Sequence, residues 1–173
     1  MTFALMFPNR LRQLWRTAPL RRFLLLVLVA CLMPALTGCG LFGSSGDKVK
    51  WSQMTFTASD DLNNNAPVAV DVVLVSDRTL LDRIADLPAS KWFSARADLA
   101  ATFPQGLRYR SWEMVPGQRL DVPGDTFTGP RVAAAFVFAN YQGPGAHRVR
   151  IDTFSGRMVV LLNGTAFTVS ASQ

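Results

Sequence analysis

The chain of 173 residues holds few of the side chains that support nucleophilic or metal chemistry. It has one histidine, His147, and two cysteines, Cys31 and Cys39. Two cysteines are too few for a cysteine-based zinc site, and one histidine disfavours His-rich metal sites and most Ser-His or Cys-His catalysis. The sequence has no G-x-S-x-G elbow, P-loop or dinucleotide fingerprint. We therefore expect a protein without enzymatic activity, metal or cofactor.

The second cysteine ends a segment that is typical of protein export. Basic residues precede an uncharged run over residues 23–36. As a helix this run would span about 21 Å, which is short of a ~30 Å hydrocarbon core, and Pro34 weakens a spanning helix. The sequence of Leu36–Cys39, L-T-G-C, resembles the bacterial lipobox, whose cysteine is diacylated before the signal is removed. A short membrane anchor that ends in an ordinary cysteine is the alternative.

Lipidation of Cys39 would make a covalent lipid the group that the mature chain carries. Cys31 would leave with the signal peptide, and several acyl chains would hold the protein firmly on a membrane. The residue after Cys39 is Gly40, whereas aspartate at this position favours inner-membrane retention. The resemblance therefore implies the outer membrane, with the domain facing the periplasm.

Composition divides the chain into three parts. Residues 1–38 hold five of the 18 basic side chains and no acid, so the remainder is nearly neutral. The positive charge thus gives no reason to expect nucleic acid as a partner. Residues 39–48 are rich in Gly and Ser, which predicts a lipidated cysteine followed by a flexible tether. Residues 49–173 predict a single domain.

Strand patterns dominate this domain. Residues 68–75 and 131–140 are apolar on both faces, which predicts strands that are covered on both sides. Asn163-Gly164 lies between two further candidate strands, residues 158–162 and 165–170, and predicts a hairpin with a type I′ turn. The remaining candidate strands are residues 54–58, 108–115, 119–122 and 147–152.

Helical spacing occurs in one part of the domain. Apolar residues over 78–87 recur at intervals of 3.6, and Pro88 ends the segment. A second helix is predicted from Ser90, as its N-cap. Its large apolar side chains are Trp92, Phe93, Leu99 and Phe103. They favour core packing, with a ligand groove as the alternative. We therefore expect a mostly β fold, an antiparallel β-sandwich with a short helical insertion between two strands.

The polar run after the first strand partly matches the pattern of a calcium-binding loop. Asp61, Asn63 and Asn65 have the spacing of positions 1, 3 and 5 of a calcium loop. However, Ala66 and Val72 occupy the positions that need Gly and Glu. The run therefore predicts Asx-rich turns, with an ion site or a recognition surface as alternatives.

Other polar residues favour structural roles. Asp71, within an apolar strand, predicts a hydrogen-bonded structural aspartate. His147, at a predicted strand start, predicts an exposed strand end. Five arginines on predicted strands favour a solvated sheet face, and docking of an acidic partner or lipid headgroups is the alternative. These arginines are Arg108, Arg110, Arg119, Arg148 and Arg150.

Four segments resemble the outer-membrane lipoproteins of type VI secretion systems, the TssJ family. They are Asp61-Leu62-Asn63, residues 67–70, Pro116-Gly117-Gln118 and residues 132–141. The resemblance implies a transthyretin-like β-sandwich that anchors the secretion membrane complex by binding the periplasmic domain of an inner-membrane subunit, TssM. It implies partner contacts at Asp61, Leu62 and Asn63, with Asn64 and Asn65 as neighbours.

Two alternatives to this function remain. One is a periplasm-facing ligand-binding or envelope-assembly lipoprotein, in which the region of Trp92, Phe93 and Phe103 lines a pocket. The other is a hydrolase that uses His147 or paired carboxylates.

Overall fold

The structure, a computed structural model, describes residues 46–172. The predicted signal peptide, Cys39 and most of the predicted tether lie outside the described residues. None of the helices within residues 46–172 is long and apolar enough to cross a bilayer.

The described part of the chain contains eight strands, two α-helices and three short 3-10 helices, the last at Leu62–Asn64, Arg78–Leu80 and Gly124–Phe127. The strands are β1 (Lys50–Ala58), β2 (Val68–Val75), β3 (Leu107–Met114), β4 (Arg119–Pro123), β5 (Ala134–Ala139), β6 (Arg148–Ile151), β7 (Ser155–Leu162) and β8 (Phe167–Ser172). The helices α1 (Leu81–Asp86) and α2 (Ala89–Thr102) lie between β2 and β3.

The strands form two four-stranded sheets. Sheet 1 has the order β4-β1-β7-β8 and sheet 2 the order β3-β2-β5-β6. Neighbouring strands are antiparallel except β1 and β7, which run parallel. The predicted mostly β sandwich with a helical insertion is confirmed, with this one parallel pair as an exception that local patterns do not reveal.

The two central strands of sheet 2, β2 and β5, are buried on both faces, as their apolar sequences predict. In β5 the side chains of Ala135, Val137 and Ala139 belong to the core between the sheets. Phe136 and Phe138 belong to a second core beneath the helices. Small side chains let the sheets approach closely, while the bulky rings fill the wider gap to the helices.

The helical insertion covers the outer face of sheet 2. Trp92 is fully buried, and its ring stacks on Phe138 with centroids 5.0 Å apart. The core role of the α2 side chains is thus confirmed. The predicted N-cap at Ser90 is wrong, because the chain is extended at Pro88 and turns into the helix at Ala89. Proline fixes φ and is compatible with a helix only at its start.

Two strand boundaries differ from the prediction for a tertiary reason. β5 begins at Ala134 and not at residue 131, because Val132 pairs with Asp47 in an isolated bridge. β1 begins at Lys50, and the N–H of that residue donates to the carbonyl of Phe154 at 2.7 Å. Both differences depend on segments that are distant in sequence.

The last hairpin, between β7 and β8, also differs from its prediction. Leu162 pairs with Phe167, so the loop comprises residues 163–166. Neither Asn163 nor Gly164 has a positive φ. The predicted two-residue type I′ turn is therefore wrong. That turn would have paired Leu162 with Thr165, so the observed pairing is shifted by two residues. Because side chains alternate with a period of two, each one stays on its predicted face.

Candidate functional site

Four loops meet at the end of the sandwich where β1 and β7 end and β2 begins. They comprise residues 59–67, 115–118, 140–147 and 163–166, and are called here the apical loops. The described chain begins at the opposite, basal end, where Lys50 starts β1. Because β1 has 9 residues, each rising about 3.3 Å, about 30 Å separates the two ends.

Asn63 joins three of the apical loops. Its backbone N–H donates to the carbonyl oxygen of Gly164 at 2.9 Å. Its side-chain Oδ1 accepts from the N–H of Gln142 at 2.9 Å, and its Nδ2 donates to the carbonyl of Pro67 at 3.2 Å. The side-chain amide supplies the acceptor through its oxygen and the donor through its nitrogen. Asn63, which is 3% exposed, therefore fixes the first loop against its neighbours.

The three consecutive asparagines share an unusual backbone conformation. The φ angles of Asn63, Asn64 and Asn65 are 47°, 58° and 61°, in the left-handed region. Asparagine enters this region more readily than other non-glycine residues, most of which pay about 1–2 kcal/mol there. The run reverses the chain so that the N–H of Ala66 donates to the carbonyl of Leu62 at 3.1 Å. The backbone thus explains the asparagine run independently of any partner.

The five residues predicted to bind a partner fall into two groups. Leu62 is completely buried and Asn63 nearly so. These two side chains position the loop and offer little surface of their own. Asp61, Asn64 and Asn65 are exposed. Partner binding by these five residues stays a prediction. In the structure only the three exposed residues present their side chains to a partner.

The apical loops carry acidic charge without a lysine or arginine. Asp60 and Asp61 are both exposed, and the hydroxyl of Ser59 donates to Asp61 Oδ1 at 2.5 Å. A Cβ at Gly164 would come within 2.7 Å of Asp61 Oδ2, so glycine lets this carboxylate lie against the hairpin. Val115, 45% exposed, adds an apolar contact at the rim. Together they form an acidic, amide-rich surface with one apolar side chain.

Tyr141 supports this surface from below. Its hydroxyl lies 3.0 Å from the carbonyl oxygen of Asn163 and 2.9 Å from that of Ala166, so its single proton is shared between them. Burial raises the pKa of Tyr141 to about 12, and the nearby carboxylate of Asp61 adds to the rise. The phenol therefore stays protonated, and hence a donor, well above the pH at which a free tyrosine ionises.

This pKa predicts a loss of stability at alkaline pH. Between the ordinary tyrosine pKa of 10.0 and about 12, the unfolded chain releases the Tyr141 proton while the folded chain keeps it. The stabilisation is therefore complete below pH 10 and is lost as pH rises through this window. Urea unfolding across the window should show a steeper decline for the wild type than for Tyr141→Phe. Equal slopes would contradict the prediction.

Comparison with known proteins gives matches only at the level of structure. No protein-family model and no curated protein sequence matches the chain. Lip of Serratia marcescens, a membrane-bound component of the type VI secretion system, is 14% identical with a TM-score of 0.51, over 69% of this chain and 96% of its own. The type VI secretion lipoprotein TssJ1 of Pseudomonas aeruginosa is 16% identical with a TM-score of 0.52, over 74% and 98%. A chain of a type VI membrane complex is 14% identical with a TM-score of 0.55, over 68% and 95%.

The chain has the fold of the TssJ lipoproteins. The described domain matches these proteins over almost their whole length, so the TssJ fold is complete in it. The resemblance expected from the sequence is confirmed in the fold. The solved structures are described as lipoproteins and membrane components, and none of these three is described as an enzyme.

Within this TssJ fold, His147 has a structural environment. Its Nε2 lies 3.0 Å from the carbonyl oxygen of Gly143, and its ring lies 4.9 Å from that of Tyr141. A backbone carbonyl is not a nucleophile, so this contact holds the loop and does not make a nucleophile–base pair. Among residues 46–172, no group of three His, Cys, Asp or Glu side chains could hold a metal. Oδ1 of Asn63 is already occupied by a backbone N–H, which disfavours the calcium alternative.

The five strand arginines do not form one patch. Arg108 and Arg110 lie on β3, and Arg148 and Arg150 lie on β6, at opposite edges of sheet 2. Arg119 pairs with an acid on its own strand. This dispersal argues against a single arginine docking site. Arg110, Arg119 and Arg150 are exposed, as the solvated-face prediction requires. The prediction is wrong for Arg108 and Arg148, which are partly buried and donate to backbone carbonyls.

Trp92 does not line an open groove. Its side chain has no exposed surface, and its indole N–H donates to Asp71 Oδ2 at 2.8 Å. Phe93 and Phe103 are partly buried and pack against the same core. The region that the ligand-binding alternative requires is therefore filled by side chains.

The residues that fix the apical loops are not among those predicted from the sequence to form the site. Gln142 and Gly164 bond to Asn63 across 79 and 101 residues of chain, and Tyr141 bonds to the hairpin across 22 and 25 residues. The spacing of strands could have placed these loops at one end of a sandwich. The individual hydrogen bonds have no local signal.

Proposed function

We propose that the chain is an outer-membrane lipoprotein of the TssJ family. In this proposal it anchors a type VI secretion membrane complex by binding the periplasmic domain of a TssM-like inner-membrane subunit. The observation that carries the proposal is the TssJ fold of residues 46–172. The lipobox-like sequence that ends at Cys39 supports it independently.

The arrangement of the two ends suits an anchor. The chain that leads to Cys39 joins the basal end, and the apical loops lie about 30 Å away at the other end of the strands. A force applied at the apical loops would pass along the hydrogen-bonded strands of both sheets to the lipid. The function is mechanical, so it requires no reacting group.

The apical loops suit a binding surface because they are already ordered. The bonds made by Asn63 hold the exposed side chains of Asp61, Asn64 and Asn65 in place before a partner arrives. A preorganised loop loses less conformational entropy on binding than a flexible one. Its carboxylates and amides fit a partner surface that offers lysine or arginine side chains and hydrogen-bonding groups.

The direct test is binding of the full-length chain to the periplasmic part of the TssM-like subunit from the same cell. The most informative variant is Asn64→Gly with Asn65→Gly, because glycine keeps the left-handed backbone while it removes both side chains. We expect affinity to fall about tenfold, which corresponds to about 1.4 kcal/mol.

A matched control lies on the helical layer. Lys91→Ala removes an exposed side chain of α2, and should leave affinity unchanged. A wild-type chain that does not bind the subunit would contradict the proposed function. Wild-type affinity in the double glycine variant would remove the apical loop from the interface.

A further inference from the structure

A cleft of about 500 Å³ opens at the basal end, where the described chain begins. Its charged lining comprises three cations, Lys48, Lys50 and Arg131, and two carboxylates, Asp47 and Asp152. All five residues are exposed. We call this feature the basal cleft.

The cations of the basal cleft are not matched by its carboxylates. Asp152 is engaged by Arg150, whose Nε lies 2.7 Å from its Oδ1. Within residues 46–172, no carboxylate lies within ion-pair distance of Lys48, Lys50 or Arg131. Ammonium and guanidinium groups bind phosphate oxygens strongly, so the cleft has the chemistry of an anion site.

The chain is fixed where it reaches the rim of this cleft. The N–H groups of Asp47 and Val132 each donate to the other's carbonyl at 2.8 Å. Nη1 of Arg131 donates to the carbonyl of Gly46 at 2.9 Å. A Cβ on Gly46 would come within 2.6 Å of the Val132 carbonyl oxygen, so only glycine allows this approach. These contacts therefore hold Gly46 and Asp47, the first described residues, beside the cleft.

The length of the tether limits how far the cleft can lie from the acyl chains. Only residues 40–45 separate Cys39 from Gly46. Fully extended, this stretch reaches about 25 Å, and as a flexible Gly-Ser chain it averages about 15 Å. With lipid on Cys39, the three cations would therefore lie about two Debye lengths from the bilayer surface at the average reach of the tether, and about three at its full reach.

We propose that the basal cleft binds the phosphate of an anionic lipid headgroup in the membrane that carries the acyl anchor, through Lys48, Lys50 and Arg131. This inference rests on the lipidation of Cys39 in the proposed function. Headgroup binding would set the domain with its basal end on the membrane. The apical loops would then point away from the bilayer, towards the protein that they are to bind.

The test uses the full-length processed chain in nanodiscs and follows the reaction of its lysines with an amine reagent by mass spectrometry. Lys91 is the only other lysine and lies exposed on α2, so it is an internal control. Replacing part of the phosphatidylcholine by phosphatidylglycerol should slow labelling of Lys48 and Lys50 about fivefold, the effect of one basic residue at an anionic surface. Lys91 should react equally in both discs.

Arg131→Gln should reduce this protection, because it removes one of the three phosphate ligands. Equal labelling in both lipids, or protection that Arg131→Gln leaves intact, would overturn the inference while the lipid anchor stands. Protection by free glycerol phosphate in phosphatidylcholine discs would identify a soluble ligand and overturn the headgroup assignment. A chain that does not enter nanodiscs at all would instead refute the anchor itself.

Discussion

Replacing Asp71 by alanine should lower the free energy of unfolding by about 3 kcal/mol. The carboxylate is completely buried and accepts hydrogen bonds from two side chains of α2. Nε1 of Trp92 lies 2.8 Å from Oδ2, and Nη1 of Arg96 lies 2.7 Å from both carboxylate oxygens. Asp71 is thus the polar group that joins the helical layer to sheet 2.

The expected loss has two parts. Without Asp71, the buried indole N–H of Trp92 has no acceptor, and an unsatisfied buried donor costs about 1–3 kcal/mol. The guanidinium of Arg96 loses its ion pair, but its side chain is 30% exposed and reaches water. Arg96 also keeps its position over the ring of Phe93, 4.8 Å from the centroid. The loss should therefore fall at the lower end of the range for a broken buried pair.

Urea unfolding of further variants, compared with Asp71→Ala, would separate these contributions. Asp71→Asn keeps an acceptor for the indole and should cost less than Asp71→Ala. Arg96→Met should cost less in the Asp71→Ala background than in the wild type, because the two residues interact. Asp152→Ala breaks an exposed pair and should cost no more than about 1 kcal/mol. If Asp71→Ala lowers the free energy of unfolding no more than Asp152→Ala does, the bridging role of the Asp71 carboxylate is contradicted.

Replacing Cys39 by alanine should remove the chain from the outer-membrane fraction. In the proposed function its sulfur and the new N-terminus carry the acyl chains, each of which contributes about 0.8 kcal/mol per buried CH₂. One chain gives only marginal membrane binding, whereas several give stable attachment. Without the thiol neither lipidation nor cleavage can occur. Fractionation measures the loss of the chain from the outer membrane, and metabolic palmitate labelling measures the loss of lipidation.

Cys31→Ala is the matched control for this experiment. Cys31 lies within the segment that would be removed, so its replacement should change neither labelling nor fractionation. A wild-type chain that takes up no palmitate, or a Cys39→Ala chain that stays in the outer-membrane fraction, would favour the short membrane anchor instead.

Local patterns in the amino-acid sequence are enough to predict the β-sandwich and the position of its helices. Residues 68–75 and 131–140 are apolar on both faces, so strands formed by them must be covered on both sides. The helical spacing after residue 78 predicts the helices that cover one of those sides. These are properties of local periodicity, which follows from the geometry of each element. The buried hydrogen-bonded role of Asp71 also followed from its position in an apolar strand.

Three features become visible only in the folded domain. They are the parallel pairing of β1 with β7, the four-residue hairpin loop, and the separation of the asparagines into buried and exposed side chains. Asn63 and Asn64 are the same residue type at neighbouring positions, yet one is buried and the other exposed. The difference arises because Gly164 and Gln142 come within hydrogen-bonding distance of Asn63 only after the sheets have packed. The cations of the basal cleft likewise meet only when Val132 pairs with Asp47. Contacts between residues distant in the chain have no local periodicity, so the folded structure was needed to find them.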